Sequence, residues 1–270
     1  MIISVRGFRM ISRIKEIYSY KDMIHSMAKR ELRGRYQKSV LGFLWSFISP
    51  LCQIAVFTIV FTYVFPSNIP NYYIYLMAGM IPWQFFSDSI SQGAGSVIQN
   101  SDMTKKIYFP REVLPISCVT AKFVNLLLSM VVVFGFILFS KVGFSWHIIF
   151  LPYTLFVEYA ISLGFALIFA CITVYLRDME YVVNVILMAW IWATPIMYDP
   201  GPVVEQFPWL EIVFRINPMA SVMYLYRDTL YYHKIPGIID LCLPMIWSIV
   251  LLVFGELIFM KLEGNFAEEL

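Results

Sequence analysis

Hydrophobic positions dominate the chain from residue 41 onward, and they come in long blocks rather than alternating. A helix needs roughly 20 apolar residues to cross a hydrocarbon layer about 30 Å thick. Six blocks meet or approach that length: Leu41–Phe65, Tyr72–Phe86, Val113–Phe139, Ile148–Leu176, Tyr181–Met197 and Ile238–Met260. The second is short and interrupted by Gly79 and Pro82, so it is expected to break there. The pattern predicts an all-α membrane protein with six transmembrane helices. Its divisions are residues 1–40, a cytoplasmic N-terminal region with an amphipathic interface helix, 41–260, the six-span domain, and 261–270, a cytoplasmic tail.

The polar stretches carry their own patterns. Tyr20, Met23, Ile24 and Met27 recur at helical spacing, while Lys21, His25, Lys29 and Arg33 point elsewhere. An amphipathic helix lying along the inner membrane surface is expected, opened by a capping box of Ser19 and Asp22. Asn100, Ser101 and Asp102 precede Lys105 and Lys106, and Pro110 follows, which predicts a short charged helix between spans. Between Tyr198 and Gly237, prolines separate two apolar patterns, 203–216 and 219–232, each too short to cross. Short re-entrant or interfacial outer helices between spans five and six are expected there.

Composition supports a lipid environment. The chain is 60% hydrophobic and 14% charged, against roughly 45–50% and about 25% in soluble domains. With the N-terminus inside, the predicted inner pieces hold fifteen Lys and Arg and the outer ones four, which fits the excess of cations on cytoplasmic loops. Lys29, Arg30, Arg33, Arg35 and Lys38, just before the first apolar block, act in this reading as a topology signal. The net charge of +2 gives no reason to expect a nucleic-acid partner. No cleavable signal peptide is expected, because the first forty residues are polar and basic.

Catalytic chemistry is hard to find. Cys52, Cys118, Cys171 and Cys242 are far apart and read as buried thiols, and no metal site is predicted. The dipeptide Gly-Lys never occurs, so the phosphate-cradling loop of nucleotide hydrolases is absent. Gly93 and Gly95 lack the third glycine and the strand of a dinucleotide site. Asp178 and Glu180 sit beside Arg177 in a short inner turn and are expected to pair with it or with a partner. Lys122, Glu158 and Glu256 fall inside predicted spans, where structural pairing is the expected role. Aromatic residues make up 17% of the chain, and interfacial belts account for many of them.

Five stretches carry a family resemblance: "GRYQKSVLGFLWSFISPL" (34–51), "MAGMIPWQFFSDSISQGAGSVIQN" (77–100), "KKIYFPREVLPIS" (105–117), "YLRDMEYVV" (175–183) and "INPMASVMYLYRD" (216–228). In order and over nearly the whole chain, they resemble the permease subunit of type-2 ABC exporters for lipid-linked polysaccharides, the O-antigen, rhamnan and teichoic-acid exporters. The resemblance implies a non-enzymatic subunit of the bacterial cytoplasmic membrane with both termini inside. A second copy pairs with it, and two copies of a separate cytoplasmic ATPase bind ATP and magnesium. It implies ATPase contacts at Lys105, Lys106, Arg111, Glu112, Arg177, Asp178 and Glu180. The substrate it implies is a glycan on undecaprenyl diphosphate, with the diphosphate near Arg33, Arg35 and Lys38. Sugar rings stack on aromatic planes, so Trp45, Phe57, Trp83, Phe86, Trp192 and Tyr198 are the candidate linings of the glycan path. Three alternatives stay open. A drug or small-lipid exporter of the same superfamily would lack the "YFPREVLP" segment, a polytopic glycosyltransferase needs a loop carboxylate or metal site, and a proton-coupled carrier needs more intramembrane carboxylates.

Overall fold

The computed structural model describes residues 12–13, 15–34, 41–64 and 69–269. Among these the structure is helical, with no strand. The chain forms α1 (Lys21–Gly34), α2 (Trp45–Ile59), α3 (Tyr72–Gln99), α4 (Ser101–Lys106), α5 (Val113–Phe139) and α6 (Leu151–Tyr175). It continues as α7 (Met179–Ala193), α8 (Pro200–Gln206), α9 (Trp209–Ile216), α10 (Pro218–Arg227), α11 (Ile238–Leu262) and α12 (Phe266–Glu269). A π-helical turn, Val60–Val64, extends α2, and another, Asp228–Tyr232, extends α10.

Among the described residues, three helical stretches are long and apolar enough to cross a membrane: Val113–Phe139, Trp146–Tyr175 and Ile238–Asn265. They coincide with the third, fourth and sixth predicted blocks. The first and fifth blocks appear as shorter apolar helices, Phe47–Tyr63 and Met179–Ala193. The second block departs from expectation. Gly79 and Pro82 do not break it, and α3 runs unbroken for 28 residues, about 42 Å at 1.5 Å per residue. Proline removes one backbone donor, but a helix packed inside other helices tolerates that loss. The stretch expected to be an inner loop from residue 87 is therefore helical as far as Gln99.

Packing is centred on α3 and α6. α6 packs along both α11 and α3, and α5 lies against another side of α3. Small residues set these distances. A Cβ on Gly164 would come within 2.6 Å of the Leu251 backbone, and one on Gly255 within 2.8 Å of the Gly164 carbonyl oxygen. Gly93 meets Ala166 in the same way, at 2.7 Å. Backbones this close gain contact area without large side chains, as transmembrane interfaces do. α2 and α7 are outer neighbours of α3, each with one side bare: Val56 and Ile59 on α2, Tyr181, Val185 and Met188 on α7.

The N-terminal helix corrects one expectation, the capping box. Ser19 is already helical and donates to the Glu16 carbonyl, so it forms no capping box with Asp22. The apolar stripe Tyr20, Met23, Ile24 and Met27 packs on protein, against the cluster containing Val97, Leu114 and Cys171, with α1 lying along α5.

Candidate functional site

Most of α3 is buried on every side, including Leu76, Met80, Phe86, Ile90 and Val97. One narrow row is not: Gln84, Ser87, Asp88, Ser91 and Gln92 are partly exposed. Their spacing of three and four puts them on one helix face. Each flanking helix offers that face a polar partner. Gln84 Nε2 donates to Gln53 Oε1 of α2 at 2.7 Å. Lys122 Nζ of α5 lies 3.8 Å from Asp88 Oδ2. Ser91 Oγ donates to Asn184 Oδ1 of α7 at 2.6 Å, and Gln99 Nε2 to Glu180 Oε1 at 3.2 Å. Helices α2, α5 and α7 are otherwise apolar, and polar groups among apolar helices are expensive unless paired or lining a cavity.

Such a cavity is present. A recess of ≈ 460 Å³ opens between α2, α3 and α5, with Trp45, Gln53, Gln84, Asp88, Lys122 and Asn125 among its lining residues. Lys122 is almost completely enclosed, at 3% exposure, whereas Trp45 keeps 46% of its surface. Asn125 Oδ1 is buried and meets no donor among the described residues. The recess combines an aromatic surface, three carboxamides and an ion pair of zero net charge, which suits uncharged hydroxyl-rich groups better than hydrocarbon or free ions.

At the start of α3 most polar groups are bonded within the protein, although Arg227 Nε, Glu158 Oε1 and Thr229 Oγ1 are buried without a hydrogen-bond partner among the described residues. Tyr72 and Tyr75 donate to the Met197 and Tyr198 carbonyls at 2.7 and 2.8 Å. The Arg227 guanidinium stacks 3.7 Å above the Tyr75 ring and donates to the Ile196 carbonyl at 2.7 Å. Tyr231 reaches the Pro70 carbonyl, and Tyr226 donates to the Glu158 carboxyl of α6. Asn217 caps α10 by accepting from the Met219 and Ala220 amides. The segment read as short outer helices thus forms a cap locked onto α3, α6 and the end of α7.

The opposite end holds a charge cluster. Arg13 donates through Nε and one terminal nitrogen to both Glu112 oxygens, each at 2.8 Å, and also reaches Glu16 and Glu263. Burial pulls the Arg13 pKa down, but Glu112, Glu263 and Glu16 together hold it above its ordinary value. Arg111 donates to the Glu263 carbonyl and lies 5.6 Å from the Phe266 ring centre. A cavity of ≈ 570 Å³ beside this cluster is lined by Arg13, Lys105, Lys106, Tyr108, Arg111 and Glu263 among others.

Several sequence-based assignments change. Glu112 has no exposed surface and is held by Arg13. Arg111 is half-buried and Glu180 is turned to Gln99. Lys105, Lys106, Arg177 and Asp178 are exposed. The 177–180 turn is tied to the end of α3, where Glu180 binds Gln99, and the adjacent Asn100, where α4 begins, accepts from Arg30 of α1 at 2.8 Å. Arg33 is exposed at the end of α1, while Arg35 and Lys38 lie outside the described residues. Among the aromatic candidates, Trp83 and Phe86 are core residues, Phe86 being packed edge-on against Phe165 and Trp190. Phe57 is half-buried against the core, Tyr198 donates to the Trp192 carbonyl, and Trp192 and Trp45 are exposed. The polar row on α3 was missed in the sequence because residues 87–99 read as a loop.

These features define a polytopic helical membrane protein with an internal polar recess and a charged face at one end. The profile of the ABC-2 type transporter family matches residues 23–231, and the chain belongs to that family. An O-antigen export system permease protein, RfbA, of Myxococcus xanthus is 32% identical over 97% of this chain and all of its own length. RfbA of Klebsiella pneumoniae is 32% identical over 92% of this chain and 94% of its own length. The polysialic acid transport protein KpsM of Escherichia coli is 23% identical over 82% of this chain and 84% of its own.

Proposed function

We propose that this chain is the membrane subunit that exports a lipid-linked surface polysaccharide, an O-antigen or similar glycan on undecaprenyl diphosphate, across the bacterial cytoplasmic membrane. Six crossings with both termini inside complete the arrangement, α2, α3 and α7 joining the three long apolar helices. Two copies pair, and each binds a separate ATPase that supplies ATP hydrolysis with magnesium. The observation that carries this reading is the polar row of α3 inside an otherwise apolar helix bundle. A sugar polymer cannot dissolve in lipid, because its hydroxyls would lose water without replacement. It needs hydrogen-bonding surface at membrane depth, and a drug or apolar lipid does not. The names of the relatives support the same substrate class, and the missing nucleotide motif supports a separate engine.

The ATPase would dock on the exposed side of α4 and the 177–178 turn. Deletion of the chain should trap glycan in the cytoplasm, and co-expression with the ATPase should yield a complex of both subunits. Charge reversal at Lys105 and Lys106 should weaken that complex while the chain still inserts. Unchanged surface glycan in the deletion strain refutes the substrate class. An undiminished complex refutes the docking surface.

A further inference from the structure

We propose that the recess between α2, α3 and α5 is a binding site for a single uncharged sugar ring of the exported chain. One face of the ring lies on Trp45, and its hydroxyls are held by Gln53, Gln84, Asp88 and Asn125. The proposal rests on the polysaccharide reading above and assigns it a place.

Size comes first. At ≈ 460 Å³ the recess falls within the range of about 300–1,000 Å³ of small-ligand pockets. Depth comes second. Gln84 is twelve residues beyond Tyr72, about 18 Å along α3, so the recess is far from either end of the helix. A hydroxyl at that depth is surrounded by apolar helices, and the lining supplies the hydrogen bonds that lipid cannot.

The chemistry of the lining then selects the ligand. A sugar presents C–H groups on its ring faces and hydroxyls at its rim. The negative face of an indole ring attracts the former. Side-chain amides and carboxylates each bring paired donors and acceptors or two acceptors, which match neighbouring hydroxyls. Trp45 supplies the face, and the two amides already bonded to each other, Gln53 and Gln84, lie beside Asp88 and Asn125. Asn125 Oδ1 is an acceptor enclosed by protein that no described group satisfies. Buried acceptors of that kind are seldom left unpaired, and a turn of the Asn125 amide toward the recess would let an entering hydroxyl pair it. Charge argues against the carrier's diphosphate as occupant. Lys122 faces Asp88, so the site brings no net positive charge to an anion. An acyl chain is disfavoured by the same polar groups.

The test uses the full chain with its ATPase in cells that make the glycan. A photo-crosslinking benzoylphenylalanine replaces Gln84, and in a control it replaces Val131, a residue with 64% of its surface exposed on α5. After illumination the chain is purified under denaturing conditions and stained for sugar by periodate oxidation and hydrazide coupling. A sugar-bearing adduct at Gln84 and none at Val131 is the expected result. An equal adduct at Val131, or an adduct carrying phosphate but no sugar, overturns the proposal. So does the absence of an adduct at Gln84 while that protein still exports glycan. As a second arm, Asn125→Leu and Gln53→Leu should each lower export about tenfold, the equivalent of one lost hydrogen bond, at unchanged membrane protein level. Normal export in both overturns the site. A deletion strain with unaltered surface glycan would instead show that the polysaccharide reading itself is wrong.

Discussion

At the beginning of α3, most polar side chains are consumed by the protein, whereas halfway along the same helix they border an open recess. Tyr72 and Tyr75 spend their hydroxyls on the Met197 and Tyr198 carbonyls, and Arg227 is stacked on Tyr75 and bonded to Ile196. Gln84 and Asp88 are bonded across to α2 and α5, yet both remain partly exposed beside an unsatisfied Asn125 oxygen. The first arrangement stabilises a fixed cap. The second keeps hydrogen-bonding capacity available to something that enters. Polar residues in a membrane protein thus divide by whether the fold has already used them.

The division is broken most severely at Arg227. Arg227→Leu removes a desolvated ring stack and a charge-assisted hydrogen bond together, and should cost about 2–4 kcal/mol, read as a lower unfolding temperature of the solubilised complex. Arg227→Lys should restore only part, because an ammonium lacks the planar guanidinium face. Tyr75→Phe isolates the bond to the Tyr198 carbonyl and should cost about 1 kcal/mol in the same assay. Recess substitutions sharpen the comparison from the other side. Gln53→Leu should leave stability within about 0.5 kcal/mol, since Gln53 and Gln84 bond each other at an open surface, while export falls. A stability loss at Gln53 matching that at Arg227 would erase the distinction.

The smallest expected effect concerns pH. Asp228 follows Arg227 in the cap, and burial, then the nearby Asp240 charge, raise its pKa to about 6 against the pull of Lys234. The folded chain therefore holds this proton more tightly than the unfolded chain does. Stability should fall slightly as pH rises from the ordinary aspartate range through about 6, and Asp228→Asn should flatten that slope. Unfolding temperatures of both proteins across this window provide the measurement.

Legibility in the sequence followed the same division. α5 and α11 begin where their apolar blocks begin, because uninterrupted lipid-facing helices declare themselves by composition alone. The charged helix after Asn100 lies where expected although Asn100 makes no side-chain cap, and the 203–216 pattern divides at Pro208 into α8 and α9. α3 was not. Pro82 reads as a breaker, and a helix covered on nearly all sides leaves little amphipathic signature. Its one signal, the spacing of Gln84, Asp88, Ser91 and Gln92, is split between the end of the second apolar block and the polar stretch that follows it. The Arg13–Glu112 fork spans 99 positions, so no local pattern announces that Glu112 is buried. Trp83 and Phe86 were selected as aromatic, and aromaticity alone does not separate a lining from a core.

Solvent access to the exposed row of α3 is the most direct test. Single cysteines at Ser91 and at Val131, in a chain lacking the native four, would be treated with a water-soluble maleimide in inside-out vesicles. Ser91 should label readily, because its face borders a polar path, and Val131 should resist, because its neighbours are lipid. Equal resistance at both positions would show that the row is sealed, and that α3 carries no part of the transport path.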